Sequence, residues 1–402
     1  MKQPEYTTRT TIDDMASTDI LNTAWATRLV KAFDGSGVHR MCTPGDFASG
    51  AWFEAEAAKT GNTVTRMRVP TQQTVVEEAY VECAGLRMEG LPMFDAPPCA
   101  GLSGTLGMAG DASDIGLAEF PSNAASIKGQ ALEKLRRTCA HKALIIATRV
   151  TGDSLAPINA QFFGTLIGPP VLQVPGIQFK ALSELAAKHA PATLVSRYRR
   201  EPMDSYNIEA RAASGTNAAP VAVVTPRTGW WESTAERAGG MVAWLAALEA
   251  ATHLKRAGQL KRDVAAWATC GHELGHIGLN EMTRLNMLTV TGAKYWLHLG
   301  ANLGGAGNLT MMVRASVQAD AEAMRDLLAA EGYPREHILV EPDSKLSGEG
   351  HDLHHLGAKV LSLAGSNLHF HAASDRWPGN VNVAGIASIS RAVARWVAMQ
   401  AG

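Results

Sequence analysis

The string Cys270-Gly271-His272-Glu273-Leu274-Gly275-His276 contains HELGH, two histidines four residues apart with a glutamate between them. On a helix this spacing puts both imidazoles on one face, where they bind Zn²⁺ and leave the glutamate as general base. The surroundings argue against a helix. An apolar run, DVAAWAT, leads directly into the string, and Gly271, Gly275 and Gly278 would each cost about 1 kcal/mol in a helix interior. The longer three-histidine form of the motif would also need Gly at 279 and His at 282, where Leu279 and Met282 stand. HELGH therefore reads better as a loop at a strand end. Two other stretches carry similar chemistry: VAVVTPRTGWWESTAERAGG, with Arg227, Trp230, Trp231, Glu236 and Arg237, and LHFHAASDRWPGNVN, with His371 and Asp375.

Regular elements must position these groups. Residues 18 to 34 and the segment GDFASGAWFEAEAAKTG read as helices, followed by a strand over Thr63 to Val69. From about Glu82 the chain turns rich in Gly, Pro and Ser, with strand-like runs at 143 to 150 and 169 to 175 and one helix, ALSELAAKHA. Beyond Asn217 strands and helices alternate: PVAVVTP, a helix from about Ala238 to Ala257, DVAAWAT, YWLHLGA, a helix around 319 to 330, HILVE, GAKVLSLA and a last helix from about Val383 to Met399. This pattern predicts an α/β fold, a mainly parallel twisted sheet with helices on both faces, carrying a β-rich inserted lobe. The expected division is a catalytic domain of residues 1–85 and 200–402 around a lobe of 86–199. Ligands on such a sheet sit beyond the C-terminal strand ends.

The three motifs, in this order, resemble the co-catalytic zinc aminopeptidase family, which includes glutaminyl cyclases and glutamate carboxypeptidases. In that family a strand ends in two acids, the first a general base and the second a metal ligand. The resemblance places His272 and Glu273 there, so an imidazole takes the role of catalytic base. Aligning Gly240 with the closing glycine of the family's acid-acid-Asn-x-x-Gly string puts Glu236 at the bridging carboxylate and Arg237 at the Asn. The family's closing string puts the last ligand at His371, with Asp375 as a supporting or turn-capping residue. Two other family ligands fall at about Pro226 and near Gly300, which have no side chain able to bind. The resemblance thus implies one divalent metal, Zn²⁺ first with Mn²⁺ or Fe²⁺ as alternatives, held by Glu236, Glu273 and His371. It implies a metal-dependent hydrolase acting on an amide or related C–N bond. The lobe looks like a protease-associated insertion. A catalytically inactive binding protein on the same scaffold, or a mono-metal lyase or deaminase, remains open.

Each candidate has a structural alternative. Glu236 could be a first-turn helix acid, Trp230 and Trp231 packing rather than the aromatic wall of a substrate pocket, and Arg227 and Arg237 paired cations rather than carboxylate clamps. His276 and His298 could support or pack rather than touch substrate. His351, His354 and His355 in GEGHDLHHLG read as a loop at the cleft rim.

Composition narrows the partners. With 37 basic and 38 acidic residues in 402, the net charge is −1, which supplies no field for nucleic acid or an anionic membrane. A small-molecule or peptide substrate fits better, and a homo-oligomer is left open. The N-terminal MKQPEYTTRTTIDDM is polar where a secretory signal needs an apolar run, and five widely spaced cysteines without a CxxC pair imply reduced thiols, so a cytoplasmic protein is expected.

Overall fold

In the computed structural model, residues 21–126, 131–307 and 309–402 are described. The polar stretch read for targeting, and the first turn of the helix expected from residue 18, lie outside them. Helix α1 (Thr23–Asp34) starts at Asn22, whose side chain accepts the Trp25 amide, and α2 (Pro44–Lys59) starts at Thr43, which caps Asp46. Strand β1 (Thr63–Cys83) runs far beyond the expected Val69. Its extension pairs antiparallel with β8 (Pro191–Ala212), in a ribbon with one register shift between Val76 and Glu78. At about 3.3 Å per residue this ribbon is long enough to leave one core and enter another.

Between the two long strands lie β2 (Leu86–Glu89), β3 (Leu91–Pro92), β4 (Cys99–Met108), β5 (Ile115–Pro121), α3 (Ala131–Thr138), β6 (Ala143–Arg149), β7 (Val171–Pro175) and α4 (Phe179–Ala186). They form the lobe, in the order β4-β5-β6-β7-β3, around Leu106, Ile115, Ile145, Leu172, Val174 and Leu182. Helix α3 was not expected; a buried ion pair between its Arg136 and Asp95, 2.9 Å apart, pins it to the lobe.

The rest of the chain builds the main sheet. Its elements are β9 (Val221–Pro226), α5 (Thr234–Arg256), β10 (Val264–Thr269), α6 (Ile277–Leu285), α7 (Met287–Gly292), β11 (Tyr295–Leu299), β12 (Met311–Ala315), α8 (Gln318–Ala330), β13 (Ile338–Glu341), α9 (Gly348–His355), β14 (Val360–Ala364) and α10 (Val383–Ala401). The order is β13-β12-β14-β11-β9-β10-β8, with β14, β11, β9 and β10 mutually parallel and β12 and β8 antiparallel to their inner neighbours. Strands β9, β10 and β11 are buried along their whole length, as central parallel strands covered on both faces must be. Trp244, Trp396 and Leu297 mark the core on one face, and Trp267, Trp296, Leu279 and Leu353 the core on the other. No helix among the described residues is long and apolar enough to cross a membrane. All five cysteines are free thiols, Cys42, Cys83 and Cys270 buried.

The loop after α1 is tied to the loop after β9. The His39 amide donates to the Trp231 carbonyl (2.8 Å), its Nδ1 lies 2.6 Å from the Glu232 carbonyl, and its ring stacks on Phe33 at 3.8 Å. Burial lowers the pKa of His39 to about 4, that of His298 to about 4 and that of His371 to about 3. The unfolded chain takes these protons near the ordinary value of 6.5 while the folded chain stays neutral, so acid favours unfolding. Stability should therefore hold above pH 7 and fall as pH drops from 6.5 toward 4, His39 alone contributing up to about 3 kcal/mol. Denaturant titrations at pH 7.5, 6 and 5 check this, and a midpoint unchanged down to pH 5 would refute it.

Candidate active site

The HELGH string is a loop, as its glycines require. Strand β10 ends at Thr269, Gly271 takes φ 67°, His272–Leu274 make a single tight turn, and Gly275 (φ 75°) and His276 (φ 55°) stay left-handed before α6 begins. The two histidines do not share a helical turn. A Cβ on Gly275 would lie 2.7 Å from the Gln161 carbonyl of the lobe, so backbone freedom and close approach both demand glycine there. Asn207 on β8 clamps both ends of the loop: its Oδ1 accepts the Cys270 amide (2.9 Å) and its Nδ2 donates to the Gly278 carbonyl (2.8 Å).

Glu236 stands in the first turn of α5, where the helix dipole favours an anion. Asp375 caps this turn from the C-terminal loop, its oxygens accepting the Ala235 and Glu236 amides at 2.9 and 3.0 Å. Burial, then the neighbouring Glu236, raises the Asp375 pKa to about 7. Gly240 lets the helix approach the strand ends, because a Cβ there would meet Thr225 Oγ1 at 2.5 Å. Ser233 (φ 46°) and His371 (φ 65°) are also held left-handed, so strained backbone collects around this point.

Glu236, Glu273 and His371 come together here, all at most 1% exposed, with His371 Nε2 3.5 Å from Glu236 Oε1. What joins the two carboxylates is Arg237. Its Nη2 lies 2.8 Å from Glu236 Oε1 and 2.6 Å from Glu273 Oε1, with side-chain exposure of 0%. Glu273 Oε2 accepts the Thr228 hydroxyl (2.8 Å), and Thr228 Oγ1 accepts the Gly271 amide (2.9 Å). Burial opposes the charge on Arg237, yet the fields of Glu236, Glu273 and Glu349 outweigh it and hold its pKa above the usual value. A divalent ion bound to both carboxylates would need oxygens about 2.0–2.2 Å away, in the space this nitrogen fills. Among the described residues no group of three or more His, Cys, Asp or Glu is arranged to hold a metal ion. The residues as arranged do not fit the metal that the resemblance implies.

A second layer lies beside the first. Glu349, fully buried at the start of α9, accepts the Thr269 hydroxyl (2.7 Å) and faces His272 Nδ1 at 3.5 Å. Burial, then the Arg237 charge, lowers the His272 pKa well below 6.5, and burial raises that of Glu349. His272 stacks on His276 at 4.5 Å, and His276 Nδ1 bonds Asp352 (2.6 Å), whose field outweighs burial and raises the His276 pKa. His298 Nδ1 meets Ser362 Oγ at 2.8 Å. GEGHDLHHLG is thus a helix rather than a rim loop, and Glu349 is the group it sends inward.

A cleft of about 620 Å³ opens over the strand ends, lined by His272, His298, Asn302 and Arg314 on one side and by Arg149 and Asn159 of the lobe on the other. The Trp230 indole N–H donates to Asn159 Oδ1 (2.9 Å), which turns the amide nitrogen of Asn159 to its other side. Sequence reasoning missed both Glu349, which lies in the GEGHDLHHLG string read there for its histidines alone, and Asn159, which lies in none of its motifs.

Five of the six expected substrate contacts are structural, Arg237 in its ion pairs and His276 beside Asp352 among them. Arg227, 1% exposed, is paired with Asp46 and donates to the Tyr206 carbonyl (2.6 Å). Trp230 is completely buried against Phe94, and Trp231 packs partly buried on the same cluster, so neither walls the cleft. His276 supports His272 from behind, and His298 alone of this group lines the cleft.

No family model matches the chain, and no curated protein matches it. Solved structures do. A zinc aminopeptidase from Bacillus subtilis is 15% identical with a TM-score of 0.69, covering 93% of this chain and 94% of its own. A peptidase M28 precursor from Shewanella amazonensis SB2B is 16% identical with a TM-score of 0.69, covering 95% and 97%. An aminopeptidase from Aneurinibacillus sp. strain AM-1 is 13% identical with a TM-score of 0.66, covering 94% and 93%. The chain therefore has the mixed α/β fold of the zinc aminopeptidases over nearly its full length.

The burial of Trp230 makes a prediction against a pocket role. Trp230→Ala should cost about 3–5 kcal/mol of stability, seen in chemical denaturation, because it removes a core indole and leaves Asn159 without its donor. An unchanged denaturation midpoint would return Trp230 to the candidates for substrate contact.

Proposed function

We propose that the chain is a hydrolase of the aminopeptidase fold that acts on an amide or related C–N bond of a small molecule or peptide held in this cleft. One observation carries the reading: His272 lies on the cleft floor with Glu349 behind its Nδ1, 3.5 Å away. Burial keeps its imidazole neutral, though at a cost in basicity, and Nε2 is the atom we assign to take a proton from water as the water attacks the carbonyl carbon. The same proton then passes to the leaving nitrogen, which restores the neutral ring. The amide nitrogen of Asn159 is the donor we assign to the carbonyl oxygen in the attack. Balanced charge and five free thiols support a cytoplasmic protein without a nucleic-acid partner.

A second reading is favoured by Arg237: a binding protein without turnover, in which the guanidinium holds the scaffold together. A panel of small-molecule and peptide amides separates the two. On the first reading at least one is turned over, and His272→Ala lowers kcat roughly 10²- to 10⁴-fold with the melting temperature held. Saturable binding with no turnover across the panel would establish the second reading instead.

A further inference from the structure

We propose that Arg237 is a built-in replacement for the metal ion of this fold, so that the protein assembles its site and keeps its stability without a transition metal. This concerns the cation between the buried carboxylates and does not depend on turnover.

The geometry is that of a substituted ion. One nitrogen, Nη2, contacts one oxygen of each carboxylate, at 2.8 and 2.6 Å, where a bridging cation would stand. The Arg237 Nε also donates to the Thr228 carbonyl, so the guanidinium is fixed by the loop that leads into α5 as well as by the two acids. Thr228 in turn binds Glu273 and the HELGH loop, so the guanidinium, Glu273 and that loop are held together by the chain's own groups. The two family ligand positions at Pro226 and Gly300 offer no side-chain ligand. Gly300 is further crowded, because a Cβ there would already lie 3.0 Å from His298.

Charge makes the two cations exclusive. A buried guanidinium and a divalent ion sharing the same oxygens would repel each other strongly, because burial weakens screening by solvent. Removing the guanidinium leaves two buried carboxylates without their cation, the costly half of any buried ion pair.

The test uses the full chain, purified without an affinity tag that loads or strips metals. Elemental analysis should find far less than one equivalent of any transition metal, and neither a chelator nor added Zn²⁺ should shift the melting temperature. In Arg237→Asn the melting temperature should fall by roughly 5–10 °C, and added Zn²⁺ should now raise it, because the ligand set is released. If that variant does not fold, the triple variant Glu236→Gln, Arg237→Gln, Glu273→Gln should, since it removes the cation and both anions together. About one equivalent of tightly bound metal in the wild type, or a wild-type melting temperature that falls on chelation, would overturn the proposal. A triple variant no more stable than Arg237→Asn alone would overturn it too.

Discussion

A guanidinium buried between two carboxylates is a constraint on everything around it. None of the three side chains has access to water, so each must find its partners inside the protein or carry a desolvation penalty of several kcal/mol. Glu236 reaches the point from the first turn of α5, Glu273 from the loop after β10, and Arg237 from the next position on the same helix. That loop and that helix can meet only where parallel strands β9 and β10 end side by side. Asp375 then fixes the helix start from a distant loop, and Thr228 ties the guanidinium, Glu273 and the HELGH loop to one another.

The lobe completes the site. Strands β1 and β8 carry it away from the main sheet and back, and its segment near residue 160 returns across the strand ends. There the Ala160 amide donates to the Glu273 carbonyl at 2.8 Å, while Asn159 turns toward the cleft. The cleft is thus a joint product of two cores, and a change in the packing of one would move groups belonging to the other. Trp230 illustrates this, since it fills a core of its own while fixing the amide of Asn159.

Much of the fold could be read from local pattern. Continuous apolar runs bounded by turns marked β9, β10 and β11, because strands covered on both faces have no polar side to alternate. The glycines of HELGH excluded a helix and placed the string at a strand end. The same logic failed for β1 and β8, whose far halves lie in a ribbon where side chains alternate between exposed and buried with many charges. It also failed for α9, whose histidine-rich string gave no clear apolar face.

What the sequence by itself determined about the site came through its resemblance to the zinc aminopeptidase family, which implied that Glu236, Glu273 and His371 meet in one region and that Pro226 and Gly300 leave two ligand positions empty. The same resemblance gave Asp375 a supporting or turn-capping role ahead of the last helix, and only the structure showed it capping the first turn of α5. Only the tertiary structure decided what stood among them. An arginine at 237 reads as an exposed or paired cation until the helix carrying it is seen to be buried on all sides, with two acids in reach of one nitrogen. Likewise Trp230 and Arg227 were chemically suited to a pocket, and packing put both in the core. Residue type and spacing specify chemical capacity, whereas burial and direction, set by elements far apart in the chain, determine which capacity is used.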